Sequence, residues 1–248
     1  MKQKNRQKLK GTNVRIGDMA RRIVSYLAYA IADHKQIEED DTSDDSSLSR
    51  TLYSSGAAWY AEAKKFADSL VKTHMLPVDP DQYDLTLSKV CGIIAALSPQ
   101  VTWDQNKKLA EEYLKTGKCA STRDRLSKCA AIMAATTQDE IHNSVSKKGL
   151  KTRAFYMNIR YPEVTHIVTI DRHAIAAAIQ LPHNTEALDP LWQKVTDLQY
   201  AFIQQAYILA TERFNADMRA HGKKELQITP QQCQAIVWVT YRSIRGLK

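Results

Sequence analysis

Apolar side chains recur at helical spacing along most of this chain, and few residues interrupt the pattern. Over residues 52–74, Trp59, Ala63 and Phe66 share one stripe, and residues 83–97 are apolar enough to form a central buried helix. The 248 residues include only eight glycines and seven prolines, too few for the many turns of a β architecture. The sequence therefore predicts an all-α fold.

Changes in charge and composition divide the chain into segments. The prediction is a flexible basic arm over 1–16, N-terminal helices over 17–78 with an acidic loop at 38–49, a central helical domain over 79–180, and C-terminal helices over 181–248 that pack with the N-terminal ones. The basic arm is either a solubilising tail or a phosphate-binding arm.

Several local features of the predicted helices are specific enough to check. Thr137 and Thr229 each begin a capping-box pattern, and a long helix is predicted to start at residues 189–190. In these last helices, Leu198, Phe202 and Ile244 are predicted to face the core.

Charge and motif content limit the classes of function. The formal net charge of +8 favours a polyanionic partner. No apolar run is long enough to span a membrane and no signal peptide is evident, so we expect a cytoplasmic, unsecreted protein. The four cysteines lack a CxxC pair, and no tight ligand group appears, so we expect reduced thiols, no metal and no cofactor.

The stretch over residues 147–173 carries the clearest chemical signal. Gly149 and Leu150 lead to Lys151 in the first turn of a predicted helix, where the helix dipole and partial desolvation favour the neutral, nucleophilic amine. A β-branched run then delivers Asp171 to the start of the next helix as its N-cap. Taken singly, such a lysine is usually solvated and such an aspartate usually only caps.

A second informative stretch, over residues 98–107, links two predicted helices. It places a carboxamide at Gln100, a hydroxyl at Thr102 and an indole at Trp103 in one turn. The simplest interpretation is helix capping, by Thr102 or by Ser98.

Together the two stretches resemble the helix-hairpin-helix DNA glycosylases of the endonuclease III and 8-oxoguanine glycosylase superfamily. The matching segments are Gly149-Leu150-Lys151-Thr152, Ile170-Asp171-Arg172-His173, and the Ser-Pro-Gln-x-Thr turn that contains Gln100. The chain departs from the family at Trp103, where the family often has Asp, and at Lys147, which replaces a hairpin glycine.

The resemblance implies two helical lobes around a DNA-binding cleft, and a monomer that binds double-stranded DNA. It implies that Lys151 attacks the sugar, that Asp171 stabilises the developing positive charge, and that lyase activity accompanies base excision. The further residues that it implies have supporting roles. They are Gln100, which enters the duplex; Lys147, Lys148, Gly149 and Thr152 of the hairpin (146–151) and helix start, which bind DNA; and Ser98, Thr102 and His173, which support the site.

Two other functions remain open from the sequence. One is a glycosylase-fold enzyme of phage-type DNA base hypermodification, which would act on a substituent of a modified pyrimidine. The other is a non-catalytic DNA-binding protein. No motif identifies the base that would be the substrate.

Overall fold

The computed structural model describes residues 14–40, 51–75, 79–146, 149–179 and 195–247. Within these ranges the structure is helical and contains no strand, as the all-α prediction requires. The basic arm at 1–13, the core of the acidic loop at 41–50, Lys147, Lys148 and the predicted helix start at 189–190 lie outside the described residues.

The described part of the chain contains ten α-helices. They are α1 (Ile16–Asp40), α2 (Leu52–Leu70), α3 (Tyr83–Leu97), α4 (Trp103–Thr116), α5 (Arg123–Ala134), α6 (Gln138–Val145), α7 (Leu150–Arg160), α8 (Arg172–Ile179), α9 (Asp197–Ala220) and α10 (Pro230–Ile244). A π-helical turn, Val71–Met75, follows α2, and 3-10 turns lie at Pro80–Gln82 and Lys224–Leu226.

Threonine caps fix where many of these helices begin. Thr102, Thr137, Thr196 and Thr229 each accept a hydrogen bond from the backbone N–H three residues later, and the side chain of that residue bonds back to the cap. Each pair satisfies backbone donors that a helix start would otherwise leave without partners. The capping boxes predicted at Thr137 and Thr229 are confirmed.

The chain divides into two compact units, and the division falls within α2. The inner unit comprises residues 61–162, and the terminal unit comprises residues 1–60 and 163–248. In the inner unit α3 is the central helix, with α4, α5, α6 and α7 packed around it. In the terminal unit α1 packs against α8, α9 and α10.

The observed division lies earlier in the chain than the predicted boundaries at 79 and 180. Helix α8 belongs to the terminal unit because its backbone is bonded there. The Tyr207 hydroxyl donates to the Ala174 carbonyl at 2.9 Å, and the Arg22 guanidinium donates to the Ile179 carbonyl at 2.7 Å. These partners are distant in sequence, so no local pattern identifies them.

The predicted inward face of the last helices is partly wrong. Leu198 is 66% exposed and Ile244 is 50% exposed, and Phe202 is only half-buried. The buried face of α9 carries Tyr200 and Tyr207 instead. The hydroxyls of these tyrosines bond to the backbone near α8, which sets the rotation of α9 about its axis.

Candidate functional site

Gly149 lies at the start of α7 in the inner unit. Gly149 is the N-cap of α7, and its N–H donates to the Ser146 hydroxyl at 2.7 Å. A Cβ at this position would lie 2.5 Å from that hydroxyl oxygen. The hydrogen bond ties Ser146, which follows α6, to the start of α7, and a side chain at position 149 would require the Ser146 hydroxyl to move.

Lys151 is the second residue of α7, and its side chain is exposed. Lys151 therefore lies near the positive end of the α7 dipole, as expected. The unit does not bury its side chain, so packing within the unit does not provide the expected desolvation of the amine. The ammonium or amine is open to a ligand that approaches from solvent.

A hydrogen bond between side chains links α6 to α7. The Arg153 Nε donates to the His142 Nε2 at 2.8 Å. Partial burial lowers the pKa of His142, and the positive charge of Arg153 lowers it further. His142 is therefore held as the neutral acceptor that the Arg153 bond requires.

The turn between α3 and α4 is fixed at both ends. The Ser98 hydroxyl donates to the Ala95 carbonyl at 2.9 Å at the end of α3, and Thr102 caps the start of α4. Of the two candidate N-caps, Thr102 has that role. Trp103 packs edge-on against Phe66 with ring centroids 5.9 Å apart.

Between these fixed ends, Gln100 adopts the left-handed backbone conformation, with φ of 60°. It is the sole non-glycine residue with positive φ among the described residues, and its side chain is exposed. A non-glycine residue in this region costs free energy and persists only where the surrounding structure holds it.

Gln100 and Thr152 line the same cleft of the inner unit, which has a volume of about 370 Å³. The other lining residues are Ala96, Pro99, Thr122, Asp124, Arg125, Lys128 and Val145. The structure thus brings together one residue from each of the two motifs. Lys151 itself does not line this cleft, although it precedes Thr152 in α7.

In the terminal unit, Asp171 is held by two hydrogen bonds. Its Oδ1 accepts from the Ala174 N–H at 2.7 Å, which confirms the predicted N-cap. Its Oδ2 accepts from the Trp238 indole N–H at 3.1 Å. The side chain is 18% exposed, so the carboxylate is oriented but still open to a ligand on one side.

His173 contributes less directly to this carboxylate than was expected. Its Nδ1 lies 3.7 Å from the Asp171 Oδ2, beyond hydrogen-bond distance. The imidazole packs edge-on against Trp238, with ring centroids 6.3 Å apart. His173 therefore lies beside both the carboxylate and the indole that donates to it.

Buried tyrosines surround the segment that leads to Asp171. The Tyr200 hydroxyl donates to the Val168 carbonyl at 2.9 Å and accepts from the Ile170 N–H at 3.0 Å, which fixes this extended run. Burial raises the pKa of Tyr60, Tyr200 and Tyr207, and the negative charge of Asp171 raises it further. These phenols therefore stay neutral beside the carboxylate.

Several residues near Asp171 and in the cleft were not predicted. Trp238 donates its indole N–H to Asp171, and the Arg242 guanidinium lies 4.4 Å from its ring centroid. Arg125 and Lys128 had no predicted role and line the cleft. For Trp238 and Arg242, the sequence offered one signal, the spacing of four residues, which places both side chains on one helix face. No sequence signal pointed to Arg125 or Lys128.

Three of the four cysteines, Cys91, Cys129 and Cys233, are buried. Burial raises the pKa of Cys91, Cys129 and Cys233 to about 12, which keeps these thiols protonated and unreactive. No group of three or more His, Cys, Asp or Glu side chains that could hold a metal ion occurs in the described ranges.

A model of a family of unknown function (DUF7178) matches residues 47–245. No curated protein and no solved structure matches the chain. Among the described helices, none is both long enough and apolar enough to cross a membrane.

Proposed function

The chain belongs to the DUF7178 family, and we propose that it is a DNA glycosylase with lyase activity, which excises a damaged or modified base through a lysine Schiff base. The observation that carries this proposal is the cleft lined by both Gln100 and Thr152. Their two motifs are far apart in sequence, and the packing of α3 against α7 brings one residue of each to the same cleft.

The geometry around Gln100 supports a role at the DNA. Its backbone occupies a costly conformation in a turn that is held at both ends, and its side chain is exposed rather than used for packing. A carboxamide both donates and accepts hydrogen bonds, so it can pair with a base whose partner has been extruded.

The position of Lys151 supports the nucleophile role. Its exposed side chain, in the first turn of α7, directly precedes Thr152 of the cleft. DNA that occupies the cleft would remove water from this amine and so supply the desolvation that the free protein lacks.

Asp171 supports the electrostatic role. Two hydrogen bonds fix its carboxylate, and the neighbouring phenols remain neutral. A negative charge that is already oriented stabilises a developing positive charge without reorganisation during the reaction.

In the proposed reaction, the Lys151 nitrogen forms a bond to the sugar C1′ as the C1′–N bond to the base breaks. The electron pair of that bond leaves with the base, which takes up a proton, and the lysine nitrogen loses one. Asp171 stays ionised and stabilises the oxocarbenium-like sugar. Cleavage of the C1′–O4′ bond, with a proton taken up by O4′, opens the sugar ring and gives the Schiff base. Loss of a C2′ proton to solvent then forms the C2′=C3′ double bond as the 3′-phosphate leaves with the electron pair of the C3′–O bond.

The test is borohydride trapping on duplexes that contain an abasic site, oxidised bases, deaminated bases or hypermodified pyrimidines. Wild-type protein should form a covalent adduct on at least one duplex, and Lys151→Gln should form none while it retains DNA affinity, because only the nucleophile is lost. Lys108→Gln is the matched control, since Lys108 is also an exposed helical lysine of the inner unit.

An adduct that survives Lys151→Gln would contradict the nucleophile assignment. DNA binding without any adduct would contradict the glycosylase proposal. In that case, conversion of a substituent on a hypermodified pyrimidine would indicate the hypermodification enzyme, and binding alone would indicate a non-catalytic protein.

A further inference from the structure

Two cationic side chains of α5, Arg125 and Lys128, line the cleft that also contains Gln100 and Thr152. Helix α5 begins after Thr122, whose hydroxyl caps it and also lines the cleft. These residues belong to neither motif, so the positive charge of the cleft comes from residues that the motifs did not identify.

The two cations differ in how far they are already neutralised. The Lys128 ammonium lies 2.6 Å from the Asp124 carboxylate, which is the one acidic side chain in the lining. The Arg125 side chain has no hydrogen bond or ion pair with any residue in the described part of the chain. The cleft therefore holds one guanidinium whose five N–H donors remain available to an anion.

Neutral groups of the cleft favour the same kind of ligand. Thr152 adds a hydroxyl donor from the first turn of α7, and the α5 start adds the positive end of a second helix dipole. A volume of about 370 Å³ lies at the small end of the range for ligand pockets, about 300–1,000 Å³. It suits one nucleotide-sized group better than a stack of base pairs.

We propose that this cleft binds a phosphodiester group of the DNA strand, with the Arg125 guanidinium as its principal ligand and the Thr152 hydroxyl as a second donor. The inference rests on the proposed function, because it assigns the polyanion to DNA. A phosphate held at Thr152 would fix the strand beside Lys151, the preceding residue, and would leave Gln100 to contact the bases.

The test compares Arg125→Gln with Arg123→Gln. Arg123 is an exposed residue of the same helix that does not line the cleft, so both variants lose one positive charge from α5. Affinity for a duplex with an abasic site is measured across salt concentrations. Arg125→Gln should weaken binding about tenfold and reduce the slope of log K against log salt by about 1. Arg123→Gln should change both quantities far less.

A neutral methylphosphonate placed at each backbone position in turn sharpens the comparison. One position should weaken binding of the wild-type protein and have no further effect on Arg125→Gln, because both changes remove the same contact. Unchanged melting temperatures of the two variants would show that folding is intact.

Equal effects of Arg125→Gln and Arg123→Gln, or additive losses at every methylphosphonate position, would overturn the inference. Such a result together with a Lys151-dependent adduct would leave the glycosylase proposal standing. In the converse case, only Arg125→Gln would reduce the salt slope and no duplex would form an adduct. That result would support the phosphate site and contradict the glycosylase proposal. Absence of DNA binding by the wild-type protein would overturn both.

Discussion

Gln100 is the non-glycine residue with positive φ among those that the structure describes. It lies in the turn between Ser98 and Thr102, which are fixed at either end, and its exposed side chain lines the cleft. Residues in such unfavourable backbone conformations cluster at functional sites.

Gln100→Gly should therefore stabilise the protein and impair its function. Glycine adopts positive φ without strain, and we expect a gain of about 0.5–1 kcal/mol in the free energy of unfolding after the greater entropy of the unfolded chain is included. Loss of the carboxamide should weaken excision of the substrate base. Urea denaturation and single-turnover trapping measure the two effects, and a less stable variant would contradict the strain argument.

At the scale of elements, α2 and α10 approach closely in the terminal unit at Gly56. A Cβ there would lie 2.3 Å from the Cα of Ile236 and 2.6 Å from its backbone nitrogen. These are main-chain atoms, so no rotation of a flexible side chain can relieve the clash. The Tyr60 hydroxyl, which donates to the Gln234 side chain at 2.8 Å, depends on the same approach.

Gly56→Ala should destabilise the protein by about 3 kcal/mol, because the overlap with main-chain atoms outweighs the higher helix propensity of alanine. The matched control is Gly222→Ala. Gly222 has φ of 74° and open space where its Cβ would lie, so this variant incurs only the conformational cost of about 1 kcal/mol.

Chemical denaturation of both variants measures the difference. Equal losses of stability would show that the α2–α10 contact does not require glycine.

At the scale of the whole molecule, ionisable groups set the pH range of stability. The pKa of His142 is lowered from its ordinary value of 6.5, so the unfolded chain binds more protons than the folded one below that pH. The contribution of His142 to the free energy of unfolding is therefore greatest above pH 6.5 and decreases as the pH falls below that value. Burial raises the pKa of Cys91, Cys129 and Cys233 from 9.0 to about 12. Their contribution is therefore full below pH 9.0 and decreases as the pH rises through this interval.

The free energy of unfolding should accordingly be highest between the ordinary values of 6.5 and 9.0, and should decrease on both sides. His142→Gln should remove most of the decrease that begins just below pH 6.5, since glutamine can still accept from Arg153 and does not titrate. Denaturation of the two proteins across this pH range measures it. The same acid-side decrease in the variant would show that another group is responsible.

The sequence by itself determined the helices and most of their starts. The cap residues Thr102, Thr137, Asp171 and Thr229 act within one helical turn, so the local pattern contains all of the information that these starts need. Helical periodicity likewise sufficed for the all-α class. The same local pattern failed for Leu198 and Ile244, whose exposure depends on how a whole helix is rotated.

Only the tertiary structure decided which distant residues share an environment. Asp171 and Trp238 are 67 positions apart, and nothing local to either predicts their hydrogen bond. The same is true of Arg125, which joins Gln100 and Thr152 in one cleft, and of α8, which belongs to the terminal unit. Such pairings are set by the packing of complete helices, which sums many weak contacts over long sequence separations.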